Sequence, residues 1–411
     1  MAKILLVGYK GKKSHLTQAI EKGHSFDLLI QENAYVQGYE EVFDQVFTVQ
    51  SIVDYAEVIT AFESGNIPNT YYDAVLTRYE EFVEITLLLQ HHFNLPHTPT
   101  DKIEAFRNKA QMKTVFMSQD IPCAQGKVVQ SVTEAKEYAP TIGFPLILKQ
   151  VAGQGSSLVS EIHAPEEVEK RFMVALKSFE RSDSFVHDSV INCPFYNPRS
   201  KQTLLMEEMM YGQEYSIDSF VTKNGIVHTP IFQYVLAKDL GIDDSHLAIR
   251  FTPINSLSES DIAHVHQVVE KTIAAMETIN VTTHAEFFFD NKTHTCKVVE
   301  IAARTGGMRG EMIQQSTGSD FDMAVINTAL GITPTQTFVP KKTIGTVYIH
   351  SLKTGILKDF DLSVLEKYPY IYHSKIYKIG NRVGLAKNGN KAILRVILET
   401  DSPEELITIA K

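Results

Sequence analysis

Residues 284–307 read His284-Ala-Glu286-Phe-Phe-Phe-Asp290-Asn-Lys-Thr-His-Thr-Cys296-Lys-Val-Val-Glu300-Ile-Ala-Ala-Arg304-Thr-Gly306-Gly307. Two apolar, β-branched and aromatic runs flank a polar turn, which predicts a β-hairpin. Each run carries one carboxylate, Glu286 and Glu300, and an arginine follows the second by four residues. A carboxylate inside such a strand is costly to bury unless a cation meets it. Two on adjacent strands have the hard oxygen donors that a divalent ion shares. The pattern predicts a metal cradle with Arg304 as a phosphate clamp, against the plainer alternative of solvated or lysine-paired acids at strand edges.

Working outward, the segment Asp261 to Ile279 before the hairpin has the spacing of an amphipathic helix. Upstream, Phe144-Pro-Leu-Ile-Leu-Lys149 is an apolar strand ending in lysine, followed at once by Ala152-Gly-Gln-Gly155-Ser156-Ser157. A strand-lysine-glycine loop can hold polyphosphate through charge and backbone N–H groups together, although alone it is more often an ordinary turn. Between the two lies Glu207-Glu208-Met209-Met210-Tyr211-Gly212-Gln213-Glu214. Two acids close one strand and a third opens the next, either as a simple hairpin or as a hinge that presents backbone to a purine edge and a carboxylate to ribose hydroxyls.

The beginning of the chain repeats short apolar strands, Lys3 to Gly8, Phe26 to Ile30 and Asp73 to Leu76, with helical spacing over 51–63 and 82–92. This predicts a doubly wound α/β unit. Gly8-Tyr-Lys-Gly-Lys-Lys-Ser14 lacks the Walker A spacing and reads as a solvated basic turn. Leu95-Pro-His-Thr-Pro-Thr marks a linker, and one helix is predicted from Ile103 to Ser118. The tail past Val339 reads as several strands with a last helix from Ser402.

The chain has 411 residues, 44% apolar and 21% charged, which is ordinary for a globular protein of two or three domains. Its 39 basic and 49 acidic residues give a net charge of −10 with no basic block, which excludes a nucleic-acid track. Three scattered cysteines, Cys123, Cys193 and Cys296, form neither a disulfide framework nor a CxxC pair. No run approaches the roughly 20 apolar residues of a membrane helix. A cytoplasmic location is expected.

Taken in order, the strand-Lys149-loop unit, the Glu207–Glu214 hinge and the Glu286/Glu300/Arg304 set resemble the ATP-grasp superfamily of carboxylate–amine ligases. The resemblance extends to Asp73–Glu81 and to Phe106-Arg-Asn-Lys109-Ala-Gln-Met-Lys, and it covers nearly the whole chain. It implies an α/β fold, α+β in the core. The parts are a Rossmann-like domain over 1–95, a linker helix and small lid over 96–186, a core with adenine hinge and metal site over 187–331, and a β-rich C-terminal segment over 332–411 packed on that core. The cofactors implied are ATP and Mg2+, with Mn2+ able to replace it. The partners implied are small molecules, with no nucleic acid and no membrane, and a homodimer is compatible with the family.

Position by position, the resemblance places Lys109 and Lys149 on the ATP phosphates and Gly155, Ser156 and Ser157 in the phosphate loop. Glu207 is placed on the adenine amino group, Glu208 and Met210 in the hinge, and Glu214 on ribose. Glu286 and Glu300 take the metal. Arg304, with the backbone of Gly306 and Gly307, faces the transferred phosphoryl group. The chain departs from the family pattern at Ala302, where asparagine is usual, and at Gln150 and Leu158, where proline and glycine are usual.

Glu-x-x-x-Arg without the asparagine is most similar to L-amino-acid ligases, which make dipeptides. The amino-acid pockets would then be bordered by Glu80, Glu84, His246, Arg250, Met308 and Arg309, with Tyr79 beside them. Acids there suit an α-ammonium and arginines an α-carboxylate. Met308 would set the depth of the second pocket. His284 shares the face of Glu286 in an extended strand and reads as its supporting partner or as a core histidine. Biotin-carboxylase-like and purine-pathway ligases are the alternatives, and a non-catalytic nucleotide-binding protein is a third.

Overall fold

The computed structural model describes residues 1–10, 13–68, 71–152, 159–179, 190–197, 203–242, 247–368, 370–386 and 392–411. At the N-terminus, β1 (Lys3–Val7), β2 (Ser25–Gln31), β3 (Gln45–Val49) and β4 (Ala74–Leu76) form a parallel sheet in the order β3-β2-β1-β4. Both faces are covered, as near-continuous apolar strands require. Leu5, Val7 and Leu29 enter one core, while Ile4, Leu6, Leu28 and Ile30 enter another that packs on the helix Phe321–Ala329. The edge strand β3 was not anticipated, because Gln45-Val-Phe-Thr-Val is short and flanked by polar residues.

A single helix over 103–118 does not form. The chain makes Thr100–Ile103, a tight turn at Glu104–Phe106, and a new helix Lys109–Ser118. Asn108 starts that helix: its side-chain oxygen accepts from the N–H groups of Ala110 and Gln111 at 3.1 and 3.2 Å. The cap fixes Lys109 at the first helical position and Lys113 one turn later, on the same face.

A second sheet contains β5 (Gly126–Val129), β6 (Leu146–Gln150), β7 (Ser160–Ile162) and β8 (Leu204–Glu208), antiparallel in the order β5-β8-β6-β7. Leu146, Leu148, Leu204 and Met206 bury one face in a core with residues of the helices Val132–Ile142 and Val168–Phe179. Lys149 and Glu207 fall on the other face by alternation. Strand β8 was expected in the core domain beginning at 187, yet it is hydrogen-bonded between β5 and β6 of the small sheet.

The third sheet is built from β9 (Gln213–Thr222), β10 (Gly225–His228), β11 (Phe232–Leu236), β12 (Leu247–Thr252), β13 (Val281–Asp290), β14 (Thr295–Ala302) and β15 (Thr343–Ile349). Beyond a small pair, β16 (Gly355–Ile356) with β18 (Arg382–Val383), it continues into β17 (Tyr370–Lys375) and β19 (Leu394–Thr400). The order among the described residues is β14-β13-β9-β11-β12-β15-β19-β17, with β10 on β9. The β-rich C-terminal segment, expected to pack on the core, extends the core sheet itself through β12–β15 pairing. Among the described residues no helix is long and apolar enough to cross a membrane.

The hinge from β8 to β9 passes between sheets, so residues 207–218 are not a hairpin. Gly212 sits in it at φ +114°, and a Cβ there would lie 2.3 Å from the Phe289 carbonyl oxygen. Glycine is required on both counts. Gly212→Ala is expected to cost roughly 1–3 kcal/mol, seen as a lower urea midpoint. An unchanged midpoint would show that the hinge relaxes freely.

Candidate active site

Alternation sorts the third sheet into two faces. Tyr215, Ile217, Ala285, Phe287 and Phe289 turn into the core shared with the N-terminal sheet. Glu214, Ser216 and Asp218 of β9 and His284 and Glu286 of β13 take the opposite face, with Ser216 opposite Glu286 and Asp218 opposite His284.

On β14, Cys296 and Val298 are core residues, and uninterrupted alternation would send Glu300 after them. A register shift between Glu286 and Phe287 reverses the parity, so that Ile301 is the next core residue. Glu300 thereby lands directly opposite Glu286 on the polar face.

Cations surround this acidic pair. Lys109 Nζ lies 2.7 Å from Glu300 Oε2. Burial works against the Lys109 charge, but Glu300, Glu80 and Glu286 outweigh it and raise its pKa above the ordinary lysine value. Glu286 is also opposed by burial. Hydrogen bonds from His284 and from the Tyr234 hydroxyl, at 3.0 Å, together with the Arg304 charge, hold it well below the usual carboxylate range. Glu214 moves the other way, raised by burial and by the charges of Glu286 and Glu300.

This concentration of negative charge suits a hard divalent cation. Glu286 and Glu300 would supply two oxygens, leaving the rest of the shell to phosphate and water. Among the described residues no three histidine, cysteine or acidic side chains are placed to hold a metal by themselves.

Facing this sheet, Lys149 pairs with Glu207, and Lys113 Nζ is 3.3 Å from the second Glu207 oxygen. The Glu207 carboxylate, expected on the adenine amino group, is the counter-ion of these two buried ammonium groups. Burial pushes the Lys149 pKa down, with Lys113 adding to that, while Glu207 raises it. Lys113 was missed, although it stands one helical turn after Lys109. The Glu208 side chain reaches Lys297 at 2.8 Å, its amide donates to the Gln125 carbonyl, and Met210 is buried beside the hinge.

Arg304 points from the end of β14 to the N-terminal domain, where its Nε donates to Glu80 Oε2 at 2.5 Å. Arg107 Nη1 lies 3.5 Å from the other oxygen of Glu80. Glu80 is therefore the anchor of two arginines. Expected to border an amino-acid pocket, it has one arginine at each carboxylate oxygen.

The glycine pair is also committed. Gly306 donates its N–H to Asp218 Oδ2 at 2.8 Å, and the Gly307 carbonyl accepts from Arg250. The amide of Gly306 thus holds the turn in place and is not free as an oxyanion donor. A Cβ on Gly306 would come within 2.7 Å of His284 Nδ1.

Asp218 is fully buried and ties this region together. His284 Nδ1 is 2.6 Å and Arg309 Nε 3.4 Å from its Oδ1. His284 Nε2 reaches Glu286 at 3.4 Å, so the imidazole spans a buried carboxylate and a candidate metal ligand. Arg309 is fully buried, donates to Ser216 and stacks 3.8 Å over the Phe232 ring.

Met308 begins the helix Arg309–Thr317 with φ +62°, a strained conformation for a side-chain-bearing residue. Glu84, buried on the helix Val83–His92, accepts from Tyr196 at 3.1 Å. Gly155, Ser156, Ser157, Leu158 and His246 lie outside the described residues.

Three buried carboxylates share one linkage. Burial favours their neutral forms, but His284 at Asp218, Lys149 at Glu207 and Arg304 at Glu80 hold all three below their ordinary values. Their folded pKa values lie under the unfolded ones, so their stabilisation is present above the ordinary carboxylate range and is lost as pH falls through the folded values. Urea midpoints measured from pH 7 down to pH 3 are expected to fall below about pH 4. Glu80→Gln, less stable at pH 7, should lose less over that interval, and a parallel loss would remove Glu80 from the linkage.

Comparison with known proteins bears on the fold and on the central domain. Residues 142–311 match the model of the ATP-grasp domain. An L-arginine-specific L-amino acid ligase from Bacillus subtilis is 20% identical over 339 residues, covering 81% of this chain and 75% of that protein. The crystal structure of an L-amino acid ligase from Bacillus licheniformis superposes with a TM-score of 0.78 at 15% identity, covering 100% of this chain and 96% of the other. Carboxyaminoimidazole ribonucleotide synthase from Aspergillus clavatus, complexed with ATP, gives a TM-score of 0.73 at 15% identity, with 100% and 96% coverage. The domain match spans β6 to β8, the hinge and the Glu286/Glu300/Arg304 set, so residues 142–311 form an ATP-grasp domain, and the whole chain shares its fold with the L-amino acid ligase structure.

Proposed function

We propose that the protein is an ATP-dependent ligase that joins two L-amino acids. A carboxylate resists attack because its charge repels the amine and oxide does not leave. Transfer of the γ-phosphoryl group of ATP to a carboxylate oxygen gives an acyl phosphate and ADP. The amine nitrogen of the second amino acid then attacks the carbonyl carbon. The C–O bond to phosphate breaks, phosphate leaves with the electron pair, the nitrogen loses a proton, and an amide remains.

This chemistry asks the protein for positioning, charge neutralisation and exclusion of water. Lys109 and Arg304 bring positive charge to the Glu286/Glu300 pair, and Lys149, paired like Lys113 with Glu207, acts on Lys109 and Glu214 through its charge. Magnesium, held by Glu286 and Glu300, would neutralise phosphate charge. The observation that carries the reading is the bulge that sets Glu300 against Glu286 with Lys109 and Arg304 around them. The L-amino acid ligase relatives support the choice of amino acids as substrates. A phosphate-release screen over all pairs of the twenty amino acids, with product masses read afterwards, tests it. Release that depends on two amino acids and yields their dehydrated sum is expected. Equal release with bicarbonate or a sugar amine would overturn the substrate assignment.

A further inference from the structure

The site's described cations have carboxylate partners with one exception. Lys109 pairs with Glu300, Lys113 and Lys149 with Glu207, Arg304 with Glu80, and Arg309 with Asp218. Arg250, on β12, is only 6% exposed and, among the described residues, has no carboxylate at salt-bridge distance. Its Nη2 donates to the carbonyl of Gly307, its guanidinium lies 5.7 Å from the ring centres of Tyr234 and of Tyr348, and its Nε is buried without a partner. Next to it is a second buried arginine, Arg309, whose Nη1 is also unpartnered.

Of these two neighbouring buried guanidiniums only Arg309 reaches a carboxylate, Asp218, which is itself engaged by His284 and by the Gly306 amide. A buried charge without a counter-ion is costly, and an anion from outside the chain would relieve that cost. Tyr234 links this corner to the reacting centre, since its hydroxyl donates to Glu286.

We propose that Arg250, backed by Arg309, is the subsite for the α-carboxylate of the amine-donating amino acid. This rests on the reading above. In that reaction the first substrate's carboxylate is phosphorylated and consumed, whereas the second keeps its negative charge throughout. The second therefore needs a cation that ATP does not occupy. Arg250 meets that need from beside the Gly306-Gly307 turn, one residue from Met308. The planar guanidinium fits a carboxylate through two parallel hydrogen bonds, and the flanking tyrosines fix its plane.

The test uses the full chain, wild type and Arg250→Met, with each amino acid offered as acceptor either free or as its carboxamide. A charge-assisted hydrogen bond is worth about 1.5–3 kcal/mol, or roughly 10- to 150-fold. Arg250→Met should raise KM for the free acceptor by that factor, leave KM for ATP and for the first amino acid nearly unchanged, and leave the carboxamide unaffected. Arg250→Lys should recover part of the loss. Equal losses for acid and amide, or a loss confined to ATP, would overturn the subsite.

If the wild type makes no peptide from any pair, the proposed function fails and the subsite is read by binding alone. Thermal shifts with ADP, Mg2+ and either alanine or alaninamide should then favour alanine in the wild type and not in Arg250→Met. Equal shifts in both proteins would overturn it.

Discussion

Glu300→Ala should lower kcat by about 10³-fold or more while shifting the melting temperature by only a few degrees. Loss of a single preorganised electrostatic group costs roughly 10²–10³ in kcat, and on the proposed reading Glu300 would carry two such functions. It faces Glu286 across the bulge, and it is the salt-bridge partner of Lys109. Removing it would weaken the proposed divalent-ion cradle and leave Lys109, proposed to meet the phosphates, without this partner. Stability should suffer little, because the side chain is 21% exposed.

Glu300→Gln separates the two functions. Glutamine still offers Lys109 an oxygen but carries no charge for a cation. If the charge matters, Gln is as inactive as Ala. If only the lysine tether matters, Gln retains most of the rate. Full kcat for Glu300→Ala at saturating Mg2+ would remove Glu300 from the site.

The same two glutamates show what was legible in the sequence. Strand positions, the hairpin and the candidate role of each acid follow from residue type and spacing over a dozen residues. Their convergence does not. Counting by twos along Cys296-Lys-Val-Val-Glu300 sends Glu300 to the core face, and only the bulge brings it back. A bulge leaves no composition signal in two adjacent valines. Lys113 was available to local reasoning, because i and i+4 share a helix face, once Asn108 is recognised as a cap.

The Glu80–Arg304 pair joins residues 224 positions apart, and Asp218 reaches Gly306 over 88. Nothing in a window of sequence selects such partners. They arise because β9, β13 and β14 are neighbours in the sheet and because one apolar core joins that sheet to the N-terminal strands. The misplacement of β8 has a similar origin. Leu204 to Glu208 reads as a strand in isolation, but which sheet it joins is decided by the turn at Gly212 and the edge it meets.

Asp218→Ala should be the most destabilising single change in the site. Asp218 accepts from the Gly306 amide, is hydrogen-bonded to His284, and pairs with Arg309, all without access to solvent. Alanine leaves an imidazole, a backbone donor and a guanidinium buried together with their counter-charge gone. Removing one partner of a buried charged pair typically costs about 3–5 kcal/mol. The loss should appear in the urea midpoint at pH 7, and it should reach the reaction as well. His284 would no longer be held against Glu286, and the turn after Arg304 would lose its tether.

Asp218→Asn keeps an oxygen for the Gly306 amide but turns an NH2 donor toward His284 and Arg309. It should therefore fall between wild type and Ala in stability while approaching Ala in kcat. If Asp218→Ala unfolds at the wild-type midpoint, the buried arginine and histidine are satisfied by groups other than this carboxylate. The link from Arg309 through His284 to Glu286 is then not a unit.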